Sequence, residues 1–291
     1  MQDFRPSDTA KLIARSLLLA SQEDCLQMLV PEGVESALRR ILDSRAGRDW
    51  IFPVRKNAFF RKLLFLGEGL LLPGIITHYL VRKLQIERAV EGAISGGCRR
   101  VVVLGAGYDT LAWRLHRKHP DVRFVELDHP ATQQSKKKNL TAGSNLDFQP
   151  LDLMSDLPSS LLNEPELPTV VVIEGVTMYL PPKRVEELMR DVASVMGPEG
   201  RVVWTFMERD KKGVIGFRGE SSLISRWLKR RSEPFLWGIS RDELSHFLKP
   251  CGLQQNELVD HEQLRRDCLL PRGLNALPLA EGELIGIAIS F

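Results

Sequence analysis

Val103-Leu104-Gly105-Ala106-Gly107-Tyr108-Asp109-Thr110 is the stretch that decides the fold. It continues from Arg100-Val101-Val102-Val103-Leu104, a short unbroken apolar run that suits a parallel strand buried on both faces. A helix is expected to start near Thr110. Strand, glycine turn and helix in that order make a nucleotide-type site. The glycines let backbone approach a ligand with no Cβ in the way, and the helix start adds N–H donors and a positive dipole end. A dinucleotide fingerprint would place a third glycine at position 110, where this chain has Thr110. A ligand without pyrophosphate is therefore favoured over NAD, and S-adenosylmethionine, an adenosine with an amino-acid tail, fits.

The texture downstream of the loop is alternating. Strands are expected at 122–128, 146–152, 169–174, 201–206, 252–259 and 283–291, with helices at 182–196 and 241–248 between the later ones. This alternation implies a Rossmann-like α/β sheet of seven strands, mostly parallel, closed by an antiparallel hairpin. Upstream, apolar residues at helical spacing predict helices at 9–20, capped by Ser7 or Asp8, at 34–42 and at 80–94. The expected organisation is a helical cover (1–97), the ligand-binding core (98–207), an insertion or lid shaping the substrate pocket (208–238), and the rest of the sheet (239–291).

Carboxylates sit where such a core would use them. Asp128 lies 21 residues beyond Gly107 at the end of the second strand, the usual place for an acid that accepts both ribose hydroxyls. Glu126 shares its face, either as a second contact or as a salt-bridge partner. Asp152, ending the third strand, is placed to meet an adenine amino group or to make a turn. Glu174 follows Val170-Val171-Val172-Ile173 and emerges at the carboxyl edge of a central strand, where open α/β sheets bind ligands. An acid buried there is costly without a partner, and a sulfonium or ammonium would supply one.

At these residues the sequence resembles the leucine carboxyl methyltransferase family, including its bacterial branch. The matching pieces are Leu104-Gly-Ala-Gly-Tyr-Asp-Thr110 with Trp113-Arg114-Leu115, and Phe124-Val-Glu-Leu-Asp-His-Pro130 with Lys136. Asp152-Leu153 and Glu174-Gly-Val-Thr-Met-Tyr-Leu-Pro181 follow, with Pro6-Ser-Asp-Thr-Ala10 and Glu233-Pro-Phe-Leu-Trp-Gly238 nearer the ends. The resemblance implies a class I methyltransferase fold that binds S-adenosylmethionine. Gly105 in the Gly105-Ala106-Gly107 loop would touch the cofactor and Asp128 the ribose. Asp152 and Leu153 would frame the adenine, and Glu174 would lie beside the methionine end. Arg82 matches the arginine that holds the methionine carboxylate. Leu111 departs from the arginine common in bacterial members.

The expected activity is O-methylation, foremost of a carboxylate on a small metabolite or peptide C-terminus. A carboxylate is ionised near neutral pH and needs no general base. Hydroxyl methylation and an inactive cofactor-binding scaffold are the alternatives. If a hydroxyl were the acceptor, His129 would be the first candidate base. Tyr179, Trp204, Phe206 and Trp237 are candidates to line the substrate pocket. A formal charge of +3 from 40 basic and 37 acidic residues gives no reason to expect nucleic acid, and Lys229-Arg230-Arg231 reads as a solvated face. Four scattered cysteines and no His or Cys at ligand spacing suggest reduced thiols, no metal and a cytoplasmic setting. The apolar run 63–79 is broken by Gly67, Glu68, Gly69, Pro73 and Gly74, so no membrane span is expected.

Overall fold

Seven runs of β-branched and apolar residues pair into one sheet in the structure, a computed structural model that describes residues 8–44, 47–48, 51–162, 164, 166–219, 221 and 234–291. Ser7, Glu233, the basic triplet Lys229-Arg230-Arg231 and much of 208–238 lie outside the described residues. The strands are β1 (Arg100–Leu104), β2 (Arg123–Asp128), β3 (Leu146–Pro150), β4 (Thr169–Ile173), β5 (Arg201–Glu208), β6 (Leu253–Val259) and β7 (Glu283–Ser290). Their spatial order is β3-β2-β1-β4-β5-β7-β6. β1 to β5 run parallel, and β7 is antiparallel to both its neighbours. Gly238–Ile239 adds a short eighth strand beside Met207 and Glu208, where seven strands were expected. The β6–β7 connection also carries a one-turn helix, His261–Leu264, that apolar spacing did not signal.

Two helices meet above one end of the sheet. The cover consists of α1 (Asp8–Ala20), α2 (Val34–Leu42), α3 (Ala58–Leu71) and α4 (Ile75–Ser95), with shorter pieces between. α4 begins five residues ahead of the expected start at 80, immediately after Gly74, whose φ of +80° favours glycine. α3 is not among the expected helices; Gly67 and Gly69, which interrupt the apolar run as a membrane span, lie inside it. Pro73-Gly74 instead makes the bend, and α3 and α4 meet at 90°. Among the described residues no single helix is long and apolar enough to cross a membrane.

Period-two alternation assigns each strand residue to a face. Val101, Val103, Phe124, Val170, Val172, Val203, Ile285 and Ile287 pack against α1, α2 and α4. Val102, Leu104, Val125, Ile173, Trp204 and Phe206 pack on the other face against α7 (Pro182–Val195) and α8 (Arg241–Leu248), counting α5 (Leu111–Leu115) and α6 (Pro130–Lys137) in between. Glu126, Asp128, Glu174 and Glu283 share the parity of the α4 side. That arithmetic delivers Glu174 of β4 and Glu283 of β7 to α4, while the β2 acids meet other partners.

Glu126 settles as a salt-bridge residue. Its carboxylate meets the Lys136 ammonium of α6 at 2.5 Å, both side chains are 1% exposed, and Glu126 does not line the cavity described below. Removing one partner of such a pair leaves an uncompensated buried charge. Lys136→Met is expected to cost about 3 kcal/mol in urea denaturation, and adding Glu126→Gln should restore part of it. Equal stability of Lys136→Met and the parent would refute the pair's role.

Candidate active site

The carboxyl ends of β1, β2 and β4 open into a cavity of about 740 Å³ roofed by α1, α3 and the start of α4. Arg82, Gly105, Ala106, Gly107, Asp128, Asp152, Leu153 and Glu174 all line it, as do His129 and Tyr179. Eight positions spread over nearly a hundred residues of sequence thus converge on one space.

The loop after β1 is tightly built. Gly105 has φ +64°, and its N–H donates to the Leu127 carbonyl at 2.7 Å. A Cβ on Gly105 would stand 2.4 Å from Val176 Cγ2, so no larger residue fits. Gly107 has φ +49° and lies under Ala10 of α1. Its N–H donates to Asp128 Oδ2 at 2.7 Å, while the His129 N–H donates to Oδ1 at 2.7 Å. Burial pushes the Asp128 carboxyl up despite those two donors. Each oxygen keeps a second lone pair for a further donor. Asp152 accepts the Met154 N–H through Oδ1 at 3.0 Å, as an Asx turn does, and also faces the cavity.

The helix after the loop differs from expectation. α5 has only five residues, and Asp109 Oδ1 already takes the Leu111 N–H at 2.6 Å. Its dipole end is therefore answered from within the chain, which leaves side-chain cations to receive an anionic ligand group.

Those cations are adjacent on α4. Arg82 pairs with Glu174 at 2.7 Å and, through Nη1, with both oxygens of Glu283 at 3.0 and 2.7 Å. Lys83 spans Asp109 at 2.7 Å and Glu174 at 3.1 Å. His78 Nε2 completes the chain, 2.7 Å from Glu283 Oε2. The Gly175 N–H donates to the Thr205 hydroxyl at 2.8 Å, fixing the turn on which Glu174 leaves β4. Tyr79 lies beneath the Arg82 guanidinium, 5.0 Å from ring centre, and burial pushes its phenol up to about 12. Lys83, Asp109 and Glu283 escaped the sequence reading. Glu283 carried a signal, being the one acid in an otherwise apolar final strand.

Three aromatics do not reach the cavity. Trp204 is paired in register with Ile173, so it projects away from Glu174, and it stacks on Phe206 at 4.5 Å. Trp237 joins them at 5.8 Å on the same far face. His129 caps α6, its Nδ1 accepting the Ala131 N–H at 3.3 Å.

A parallel sheet of this order with one reversed strand, and a glycine loop after its first strand, defines the Rossmann-like class I methyltransferase fold. Two solved structures share it: a DUF574 family protein from Streptomyces avermitilis (TM-score 0.58, 17% identity, 88% of this chain and 97% of that one) and a candidate methyltransferase from Thermobifida fusca (TM-score 0.57, 18% identity, 87% and 93%). The chain belongs to the leucine carboxyl methyltransferase family, whose model matches residues 35–193. Its relatives include YktD of Bacillus subtilis, 27% identical over 185 residues, and Rv3399 of Mycobacterium tuberculosis, 34% identical over 197 residues. Both are named as candidate S-adenosyl-L-methionine-dependent methyltransferases. The matches cover 60% and 62% of this chain but only 60% and 56% of those relatives, so the chain spans less than two thirds of their length.

Arg82 and His78 hold the Glu283 carboxyl at about 2, against an ordinary 4.5. A carboxyl depressed on folding contributes stability that is full above its unfolded value and is lost as pH falls toward the folded one. The stability margin of the parent over Glu283→Gln should therefore be constant above pH 5 and shrink steadily between about pH 4.5 and 2 in denaturation series. A margin independent of pH across that window would contradict the pairing.

Proposed function

We propose that this protein is an S-adenosylmethionine-dependent O-methyltransferase that forms a methyl ester on a carboxylate of a small metabolite or a peptide C-terminus. The observation that carries the reading is Glu174 at the carboxyl edge of β4, held between Arg82 and Lys83 inside the cavity beside Gly105. At this end Asp109, Glu174 and Glu283 face Arg82 and Lys83, an acidic excess that favours a ligand of net positive charge. S-adenosylmethionine meets that requirement, with a sulfonium added to a zwitterionic amino-acid tail. The relatives' names and the shared family support the same cofactor.

The residues divide the work by chemistry. Asp128 would accept the ribose hydroxyls, its oxygens already oriented by two backbone donors. Gly105-Ala106-Gly107 would let backbone lie against the adenosine, and Asp152 with Leu153 would frame its base. The tail would enter by exchange of ion pairs, its ammonium going to Glu174 and its carboxylate to Arg82 and Lys83. Glu283 would keep Arg82 in place throughout, since it holds the guanidinium through a different nitrogen.

When bound, the cofactor supplies an electrophilic methyl whose bond to sulfur breaks as the acceptor oxygen bonds to carbon, with the sulfur–carbon electron pair leaving on sulfur. No proton moves if the acceptor is a carboxylate, which agrees with His129 serving as a helix cap. The protein's share is alignment and exclusion of water. The described parts of 208–238 border the acceptor side of the cavity, and we read this segment as shaping it.

Incubation with methyl-labelled S-adenosylmethionine and a metabolite and peptide extract tests the reading. Base-labile label is expected. Base-stable label would move the acceptor to a hydroxyl or amine, and no transfer despite cofactor binding would leave a scaffold. Asp128→Ala should weaken S-adenosylhomocysteine by about ten- to a hundredfold in calorimetry, the range for hydrogen bonds to a charged group. An unchanged affinity would remove the ribose assignment.

A further inference from the structure

Beyond the ionic network the same cavity forms a chamber whose lining is mainly apolar. Tyr79 stands one turn ahead of Arg82 and Lys83 on α4, and Met178-Tyr179 follows four residues after Glu174. From there the lining is Leu64, Leu71, Ile75, Phe217, Phe235 and Leu236. The rings of Tyr179 and Phe235 lie 5.7 Å apart, and those of Phe235 and Phe217 6.3 Å apart, so the aromatic surface is continuous. Such ring faces favour a flat apolar ligand, because stacked and edge-on contacts add to the area removed from water.

Main-chain hydrogen bonds stitch these walls together. The Leu236 N–H donates to the Met178 carbonyl at 2.7 Å, Arg218 to Glu281 at 2.8 Å, Ala280 to Gly74 at 3.2 Å and Ser221 to Leu71 at 3.0 Å.

One carboxylate sits at its far end. Glu68 of α3 lines the cavity at the start of α4, where its carboxyl takes the Ile76 N–H at 3.4 Å and is also served by the Gly74 and Ile75 N–H groups. Burial pushes its carboxyl up. From Ile76 to Arg82 the helix rises about 9 Å, close to the long axis of a two-ring aromatic skeleton. A ligand that points its reacting oxygen toward the Glu174 end would bring its opposite edge to Glu68. Arg15 of α1 borders the same cavity from the side.

Building on the proposed methyl transfer, we infer that the acceptor is a flat, aromatic carboxylate with a hydrogen-bond donor on the edge opposite its reacting oxygen, gripped by Tyr179, Phe217 and Phe235 and read at the far end by Glu68. Glu68 discriminates by one further hydrogen bond that a molecule without the donor does not make, and the aromatic walls reject short aliphatic acids, which cannot cover them.

Fluorescence titration with 6-hydroxy-2-naphthoate, 2-naphthoate and hexanoate, each with and without S-adenosylhomocysteine, tests the inference. The hydroxylated naphthoate should bind saturably, about tenfold tighter than 2-naphthoate, with hexanoate weaker than both. Phe217→Leu and Phe235→Leu should each weaken both naphthoates about five- to tenfold while leaving S-adenosylhomocysteine affinity unchanged, which also reports correct folding. Glu68→Gln should narrow the preference for the hydroxylated compound without changing hexanoate. Absence of saturable naphthoate binding, or naphthoate affinities indifferent to both Phe substitutions, would overturn the chamber assignment. Naphthoate binding that follows these rules in a protein that ignores S-adenosylhomocysteine would instead overturn the methyltransferase reading and leave the chamber standing.

Discussion

Two adjacent cations on one buried helix, Arg82 and Lys83, have to be neutralised by acids arriving from three separate segments of chain, and the site follows from that requirement. Arg82 is 4% exposed, and so little water around a guanidinium makes unpaired burial prohibitive. Glu174 comes from the end of β4, Glu283 from the start of β7, and Asp109 from the loop after β1. Each element is thereby registered against α4. The mutual support explains why a cover helix and a sheet edge share one electrostatic centre, and why a zwitterionic ligand tail is a natural replacement for part of it.

The division of labour inside the network follows from which contacts are redundant. Glu283 is 2% exposed and faces Arg82 and His78, so it belongs to the structure. Glu174 is at the cavity wall and is held by both cations, so it can give up one partner without becoming unpaired. Lys83, bridging Asp109 and Glu174, can turn toward a ligand and keep an acid beside it. Pairs that are shared in this way cost least to rearrange, because no charge is stranded at any stage.

Much of the core was legible because its signals are local. The apolar run before Gly105, the displaced glycine at Thr110 and the acids at strand ends all read within a few residues. Arg82 is reached through family resemblance, while nothing singles out Lys83 next to it, since helical spacing alone does not say which face meets the sheet. Glu283 lies 201 residues from Arg82, and no local pattern connects them. Trp204 and Phe206 were misplaced for a related reason: their alternation is plain, but only the register with Ile173 decides which side of the sheet they occupy. The helix α3 carries no clear periodic signal, and Gly67 and Gly69 weaken it without preventing it, because Asn57 caps its start.

The most direct test compares two ligands that differ only at the tail. Calorimetry of S-adenosylhomocysteine and 5′-methylthioadenosine, which lacks the amino-acid end, isolates what the ionic network contributes. The parent protein should bind S-adenosylhomocysteine more tightly, and Glu174→Gln should lose most of that margin while its affinity for 5′-methylthioadenosine stays within about twofold. Equal affinity of the parent for both ligands, or a margin untouched by Glu174→Gln, would contradict the assignment of this network to the cofactor's tail.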